Sequence, residues 1–528
     1  MNPERKKTKK ERGQAIMFVA IAFVGLIGII GLMIDVGTLF LESSRLKRSI
    51  DAAAVAASLE FREGITPLPG VQPLDHPSFI NATKEFVLLN IDDVQLDDDD
   101  KDGNGSIEQD EGEEGIHTYT CDLTKVVSEP DNYAGLCPDP TPSDPSDNHL
   151  YASGDFFRKL IRVRATKLVN FNFLPVIGIE GTTITTDAVG EAASVDIVLI
   201  IDASTSMADQ TDPANGGKDF TICNHSVISN PYTDGCQPFE TIKAYAKDFA
   251  NQLLYPYDRV SVISFDRLAH NVTVANNGWE YDASQVHNTI DSLLVYNDDL
   301  PLCINERPGA GLCGSYDANG NFSKPCPHWE DTGGLSGGDA ASCTSSNVGG
   351  GLKLANFQFT RDLREEALWV IVLLASGPAN AISPTLTHPL GYCPPGTSNP
   401  LPVIAGFQQP LCRDDQAGVR HAPGSIDYDG DDYARDMADD IIADGQGAVI
   451  YTIGYGGDGG FANNKVTNDT RHRLDPYDKD IAEQLLIYIA TEAGTVDDLG
   501  LYISAPTNAE LVEAFKKIAE NIATKISQ

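Results

Sequence analysis

Residues Ala15 to Ile34 form a run of 20 positions without a charged or strongly polar side chain. As a helix rising about 1.5 Å per residue, this run reaches about 30 Å, the thickness of a bilayer's hydrocarbon core. Directly before it, residues 1–12 hold Arg5, Lys6, Lys7, Lys9, Lys10 and Arg12 against Glu4 and Glu11, a net of +4. By the positive-inside rule, 1–14 is a cytoplasmic basic head, 15–34 a single transmembrane helix, and the remainder is exported. A cleaved signal sequence is the competing reading. Signal h-regions run about 7–15 residues and end in a small-residue cleavage site, whereas this run is longer and no such site follows promptly. No second span follows, so about 490 of the 528 residues are expected to face outward.

The exported part is strongly acidic. Asp and Glu outnumber Lys and Arg by 76 to 38, so the chain carries −38 and the part beyond residue 12 carries −42. Such a field repels nucleic acid and anionic lipid and draws cations, which excludes DNA or RNA as an expected partner. The ten cysteines fit an oxidising compartment, because they are even in number and form no CxxC pair. Pairing of neighbours would give Cys121–Cys137, Cys223–Cys236, Cys303–Cys313, Cys326–Cys343 and Cys393–Cys412, each within a Pro/Gly-rich stretch. A zinc site is the alternative, although zinc sites favour tight CxxC or HxxxH spacing.

After the span, residues 35–62 read as continued helix, free of Pro and rich in Ala and Leu. The run ERGQAIMFVAIAFVGLIGIIGLMIDVGTLFLESSRLKRSIDAAAVAAS resembles the N-terminal segment of TadE/TadG-like proteins of the Tad (Flp) pilus system. Asp35, Leu46, Asp51 and Ala52–Ala57 match that family's pattern in order. The resemblance implies an envelope-anchored, pilin-like bacterial protein. One departure is Phe18, five residues after Gly13, where prepilins commonly carry Glu.

Residues 63–193 read as a pilin-like α+β region, with a short helix at 81–89 and strands at 160–169 and 182–189, the latter two alternating with period two. Within this region, the twelve residues from Asp100 to Glu111 have the spacing of an EF-hand-type calcium loop. Asp100, Asp102 and Asn104 stand at positions 1, 3 and 5, Gly105 at 6, Ile107 at 8 and Glu111 at 12. Ser106 and Glu108 complete the expected oxygen ligands for Ca²⁺. Strand-like HTYTCDL follows instead of an exit helix, so the expectation is a stand-alone loop that orders an insertion. A solvated acidic run is the plainer alternative.

Residues 194–528 alternate strand and helix, with strands at 195–201, 259–265, 368–374, 448–454 and 501–504. Helical patterns lie at 239–254, 283–294, 349–366, 431–444, 478–492 and 507–525. Apolar strands alternating with helices predict an α/β class with a doubly wound, mostly parallel sheet. The first strand, VDIVLII, runs into Asp202-x-Ser204-x-Ser206, which puts three oxygen donors on a turn at the strand's carboxyl end. Ligands bind at that edge of open α/β sheets, and hard oxygen donors suit Mg²⁺ or Mn²⁺. This pattern resembles the von Willebrand factor type A domain and its metal-ion-dependent adhesion site. The resemblance also implies a hydroxyl ligand at Ser346, in SSNVGGGL, and places Ser376 where the family usually has Asp.

Long insertions at 207–238, 297–345 and 378–430 hold eight of the ten cysteines. The segment at Asp427, Asp429, Asp431 and Asp432 reads as an acidic helix cap, since its Gly stands at position 4 of a would-be calcium loop. No GxSxG, HExxH or Walker A run occurs, which argues against an enzyme. The leading expectation is an outward-facing, membrane-anchored Tad-type pilus assembly or adhesion protein, with other pilus components or a surface protein as ligand. A metal-dependent surface enzyme or processing factor, with His225, His270 or His328 near a nucleophile, is one alternative. A purely structural minor pilin is the other.

Overall fold

The computed structural model describes residues 12–63, 116–122, 128–137, 158–204, 228–266, 268–295, 314–316, 322–325, 346–364, 366–377, 381–383, 420–423, 430–443, 447–455, 481–493, 500–505 and 507–526, with a few single positions besides. The chain divides into two units, 1–192 and 193–528.

The first unit is built on one helix, α1 (Arg12–Glu63), so the apolar run and the Ala-rich tract are continuous. From Ile16 to Ile34 its large apolar side chains are exposed. Further along, Leu46, Ile50, Ala53 and Ala57 are buried at helical spacing. They face an antiparallel sheet of β1 (Ile116–Tyr119), β2 (Lys159–Asn170) and β3 (Gly181–Ala192), ordered β1-β2-β3. Close approach depends on Gly190 of β3, where a Cβ would stand 2.1 Å from the Ala54 carbonyl oxygen. Lys167 Nζ adds an ion pair to Glu42 Oε2 at 2.8 Å. Cys121 and Cys137 are bridged, with Cα atoms 4.8 Å apart, beside the turn Pro130–Tyr133.

The second unit has a six-stranded sheet of β4 (Val195–Asp202), β5 (Arg259–Phe265), β6 (Ala269–Asn271), β9 (Leu368–Ala375), β10 (Val449–Tyr455) and β11 (Leu501–Ala505). A separate hairpin, β7 (Gly314–Tyr316) and β8 (Phe322–Pro325), lies within the second insertion. The main sheet is ordered β11-β10-β9-β4-β5-β6, and its pairs are parallel except for the β5–β6 edge. Numbered within the sheet, this is the doubly wound order 3-2-1-4-5-6, whose switch point falls between β4 and β9.

Helices α2 (Phe239–Ala250), α3 (Ala283–Asp291) and α7 (Asn508–Ile526) cover one face, where Ile197, Leu199 and Ile201 of β4 meet Phe239, Ile290 and Phe515. Helices α4 (Val348–Arg361), α5 (Gly430–Ala443) and α6 (Ile481–Ile487) cover the other, where Val198 and Ile200 meet Leu352, Ala438 and Leu485. The odd-even split of β4 between two cores explains its apolar run Ile197–Ile201. At the amino edge, Asp196 pairs with Arg259 at 2.8 Å and Arg364 at 3.1 Å, all three being buried.

Three helices are shorter than their sequence patterns. The 239–254 pattern stops at Ala250, the 283–294 pattern at Asp291 and the 349–366 pattern at Arg361. The 478–492 pattern keeps its expected end, with α6 continued by a π-turn, Tyr488–Glu492. Asp431 and Asp432 do lie in the first turn of α5.

Candidate functional site at the carboxyl edge of the parallel sheet

Asp202 is the last residue of β4, at the switch point, and it is fully buried. Its Oδ1 accepts the Ser204 N–H at 2.8 Å. Its Oδ2 accepts both the N–H of Ser376, at 2.9 Å, and the Ser376 hydroxyl, at 2.8 Å. Ser376 immediately follows β9, so the two central strands are tied together through one carboxylate. Burial pushes the Asp202 carboxyl above the usual range, while the Ser204 hydroxyl and the N–H groups of Ser376 and Ser204 pull it down.

Ser346 reaches the same edge by a backbone route. The Asn347 N–H donates to the Asp266 carbonyl at 2.7 Å, just past β5, while the Ala203 N–H donates to the Phe265 carbonyl at 2.8 Å. The β4 turn and the approach to α4 therefore flank the end of one strand. Asn347 also caps α4, accepting the Gly350 N–H on Oδ1 at 2.8 Å. The glycines of SSNVGGGL let α4 lie close to the sheet: a Cβ on Gly351 would stand 2.7 Å from Ile200 Cγ2.

The structure thus brings together Asp202, Ser204 and Ser376, and ties Asn347, the residue after Ser346, to the same edge of the sheet. Sequence reasoning missed Asp266 and Asn347, which act through backbone groups and an N-cap; only the Asn-x-x-Gly start of α4 hinted at either. Ser206 lies outside the described residues, as does the whole loop holding Asp100, Asp102, Asn104, Ser106, Glu108 and Glu111. The same is true of Cys223, Cys303, Cys313, Cys326, Cys343, Cys393 and Cys412, of His225 and His328, and of most of the three insertions, whereas the described residues of 81–89 (83, 85–87 and 89) are helical, as expected. Cys236 is disulfide-bonded, and its partner is among those undescribed cysteines. His270 is on β6, its Nε2 3.9 Å from Asp266 Oδ1.

Among the described residues no group of three His, Cys, Asp or Glu is placed to hold a metal. The donors at this edge are of another kind: one buried carboxylate with hydroxyls around it. A buried carboxylate bears a desolvation penalty that a cation offsets, so the donor set fits a hard divalent ion of modest affinity.

Residues 13–59 match the Tad family model, described as Flp pilus-assembly TadE/G-like. No curated protein matches the chain. Solved structures it overlaps include the von Willebrand domain of the type V pili tip protein Mfa5 from Porphyromonas gingivalis, at 15% identity and a TM-score of 0.34, covering 64% of this chain and 97% of that one. The PilB minor pilin from Streptococcus sanguinis overlaps at 15% identity and a TM-score of 0.34, over 70% and 76% of the two chains. Proximal thread matrix protein 1 from the mussel byssus overlaps at 12% and 0.31, over 63% of this chain and 49% of its own, so the chain spans about half of that protein's length. Residues 13–59 therefore carry the TadE/G-like segment of Flp pilus-assembly proteins, ahead of an α/β unit with the doubly wound sheet expected of a von Willebrand A fold.

Proposed function

We propose that this protein is a membrane-anchored, outward-facing component of a Tad (Flp) type pilus system that binds a partner protein through its α/β unit. Residues 15–34 cross the bacterial membrane once, with the basic head inside, and the rest of the chain stands outside. The TadE/G-like match over 13–59 supports the pilus context, and the exposed apolar face of α1 supports the anchor.

The observation that supports the binding site is the hydrogen bonding of Asp202 to Ser204 and Ser376 at the switch point, with Asn347, next to Ser346, bonded to Asp266 at the same edge. Asp202, Ser204, Ser206 and Ser346 would hold Mg²⁺ or Mn²⁺, and the cation would supply an electrophile for a partner's Asp or Glu. Ser376 sets the strength of the site. By donating twice to Asp202 it satisfies the carboxylate without a metal, where an aspartate would repel it until a cation arrived. The loop Asp100–Glu111 binds Ca²⁺ and orders its own insertion. Nothing in this reading requires catalysis.

The test is attachment. Cells carrying Asp202→Ala should retain the anchored protein and lose divalent-dependent surface attachment or pilus assembly, and unchanged attachment would overturn the binding role.

A further inference from the structure

The loop from β2 to β3, Phe171–Glu180, is apolar and outward-facing. Its sequence FNFLPVIGIE carries one charge, at its last residue. Val176 is 88% exposed and Ile177 71%, and Phe173 and Ile179 are also exposed. Single exposed apolar residues need no explanation, but four in one ten-residue loop imply a surface that covers them.

The place of the loop says what that surface is. Asp35, the first charge after the apolar run, accepts the N–H groups of Asn172 at 2.7 Å, Phe173 at 3.0 Å and Leu174 at 2.7 Å. One helical turn earlier, Gly31 meets Phe173 so closely that a Cβ there would stand 2.8 Å from the Phe173 Cβ. The loop therefore lies beside the last turn of the run 15–34. The helix around it keeps Ile30, Ile34, Val36 and Phe40 exposed, so the apolar surface is continuous from helix to loop.

The backbone of the loop is equally suited to lipid, where every N–H needs an acceptor within the protein. Asp35 takes three of these donors. Phe171 donates to the Glu180 carbonyl, Val176 to Phe173, Gly178 to Pro175 and Ile179 to Leu174, and Pro175 has no N–H to place.

We infer that Phe171–Glu180 is a second membrane contact, a wedge resting in the outer-leaflet interface with Phe173, Val176, Ile177 and Ile179 against lipid. This rests on the proposed reading of 15–34 as a span. The wedge fixes the height and rotation of the β2–β3 hairpin at the membrane, and Asp35 is the post that holds it there.

The test uses the whole chain in phosphatidylcholine nanodiscs, with a keto-bearing amino acid at position 24, 176 or 183 ligated to a nitroxide. Collision rates with oxygen, which partitions into lipid, and with a water-soluble nickel complex are then compared. The oxygen-to-nickel ratio at Val176 should exceed that at Thr183 severalfold and fall below that at Val24, in mid-helix. If Val24 is lipid-exposed and Val176 behaves like Thr183, the wedge is wrong and the span stands. If Val24 is also in water, the span itself fails and the wedge with it. A label at 176 that is immobile and shielded from both reagents would show a protein partner or second copy on the loop, which also overturns the proposal.

Discussion

Replacing Asp196 by Ala should destabilise the α/β unit sharply, because it removes the buried carboxylate that two core arginines share. Asp196 holds Arg259 at 2.8 Å and Arg364 at 3.1 Å, with the three side chains 0–1% exposed. Arg259 would keep Asp362 Oδ2 at 2.6 Å and the face of Trp279, whose centroid lies 4.1 Å from its guanidinium carbon. Arg364 would keep the Tyr257 carbonyl at 3.2 Å but lose its carboxylate. Removing one member of a buried ion network costs about 3–5 kcal/mol, a large share of a typical net stability of about 5–15 kcal/mol. With a guanidinium slope of about 5 kcal/mol per M, the unfolding midpoint falls by about 0.6–1 M. Tryptophan emission is the assay, since Trp279, Trp329 and Trp369 all belong to this unit. Adding Arg364→Met to Asp196→Ala should recover part of the loss, because the apolar side chain removes a buried charge that has lost this carboxylate. A midpoint drop below about 0.2 M, or no recovery in the double variant, would refute the reasoning.

Asp282 caps α3, and the Ser284 hydroxyl, then the N–H groups of Ser284 and Gln285, hold its carboxyl below the ordinary 3.8. Its contribution is therefore complete above that ordinary value and is lost as pH falls through the lower folded one; Asp282→Ala should cost about 1 kcal/mol at pH 7 and progressively less in acid, as read by denaturant titration. Gly351→Ala should push Ile200 from behind Asp202 and cost about 1–3 kcal/mol, whereas a loss under about 0.5 kcal/mol would mean that α4 yields freely. Calorimetry with Ca²⁺ on the whole chain should show a binding heat that Asp100→Ala or Glu111→Ala removes.

The sheet was legible in the sequence because five of its six strands are mostly apolar, β-branched runs such as VDIVLII and LWVIVLL, as a sheet covered on both faces requires. The sixth, Ala269–Asn271, was not: three residues of mixed character carry no period. Helix ends were placed three to five residues too far at Ala250, Asp291 and Arg361, because hydrophobic spacing continues past the last helical turn without marking where the backbone leaves the helix. At the candidate site, Asp202 and Ser204 could be read from their spacing. The roles of Asp266 and Asn347 could not, since a backbone carbonyl is the same in every residue type. Asp35 stood out as the charge that ends the apolar run, but its partners Asn172, Phe173 and Leu174 lie 137–139 positions away and follow only from the folded hairpin.

The central claim, a divalent cation held at the switch point for partner binding, is tested most directly by titrating Mn²⁺ into the full chain and its Asp202→Ala variant by calorimetry. The account predicts a binding heat in the wild-type chain whose Asp202-dependent part vanishes in the variant, while the variant's tryptophan emission stays native. Superimposable titrations of the two proteins would contradict it.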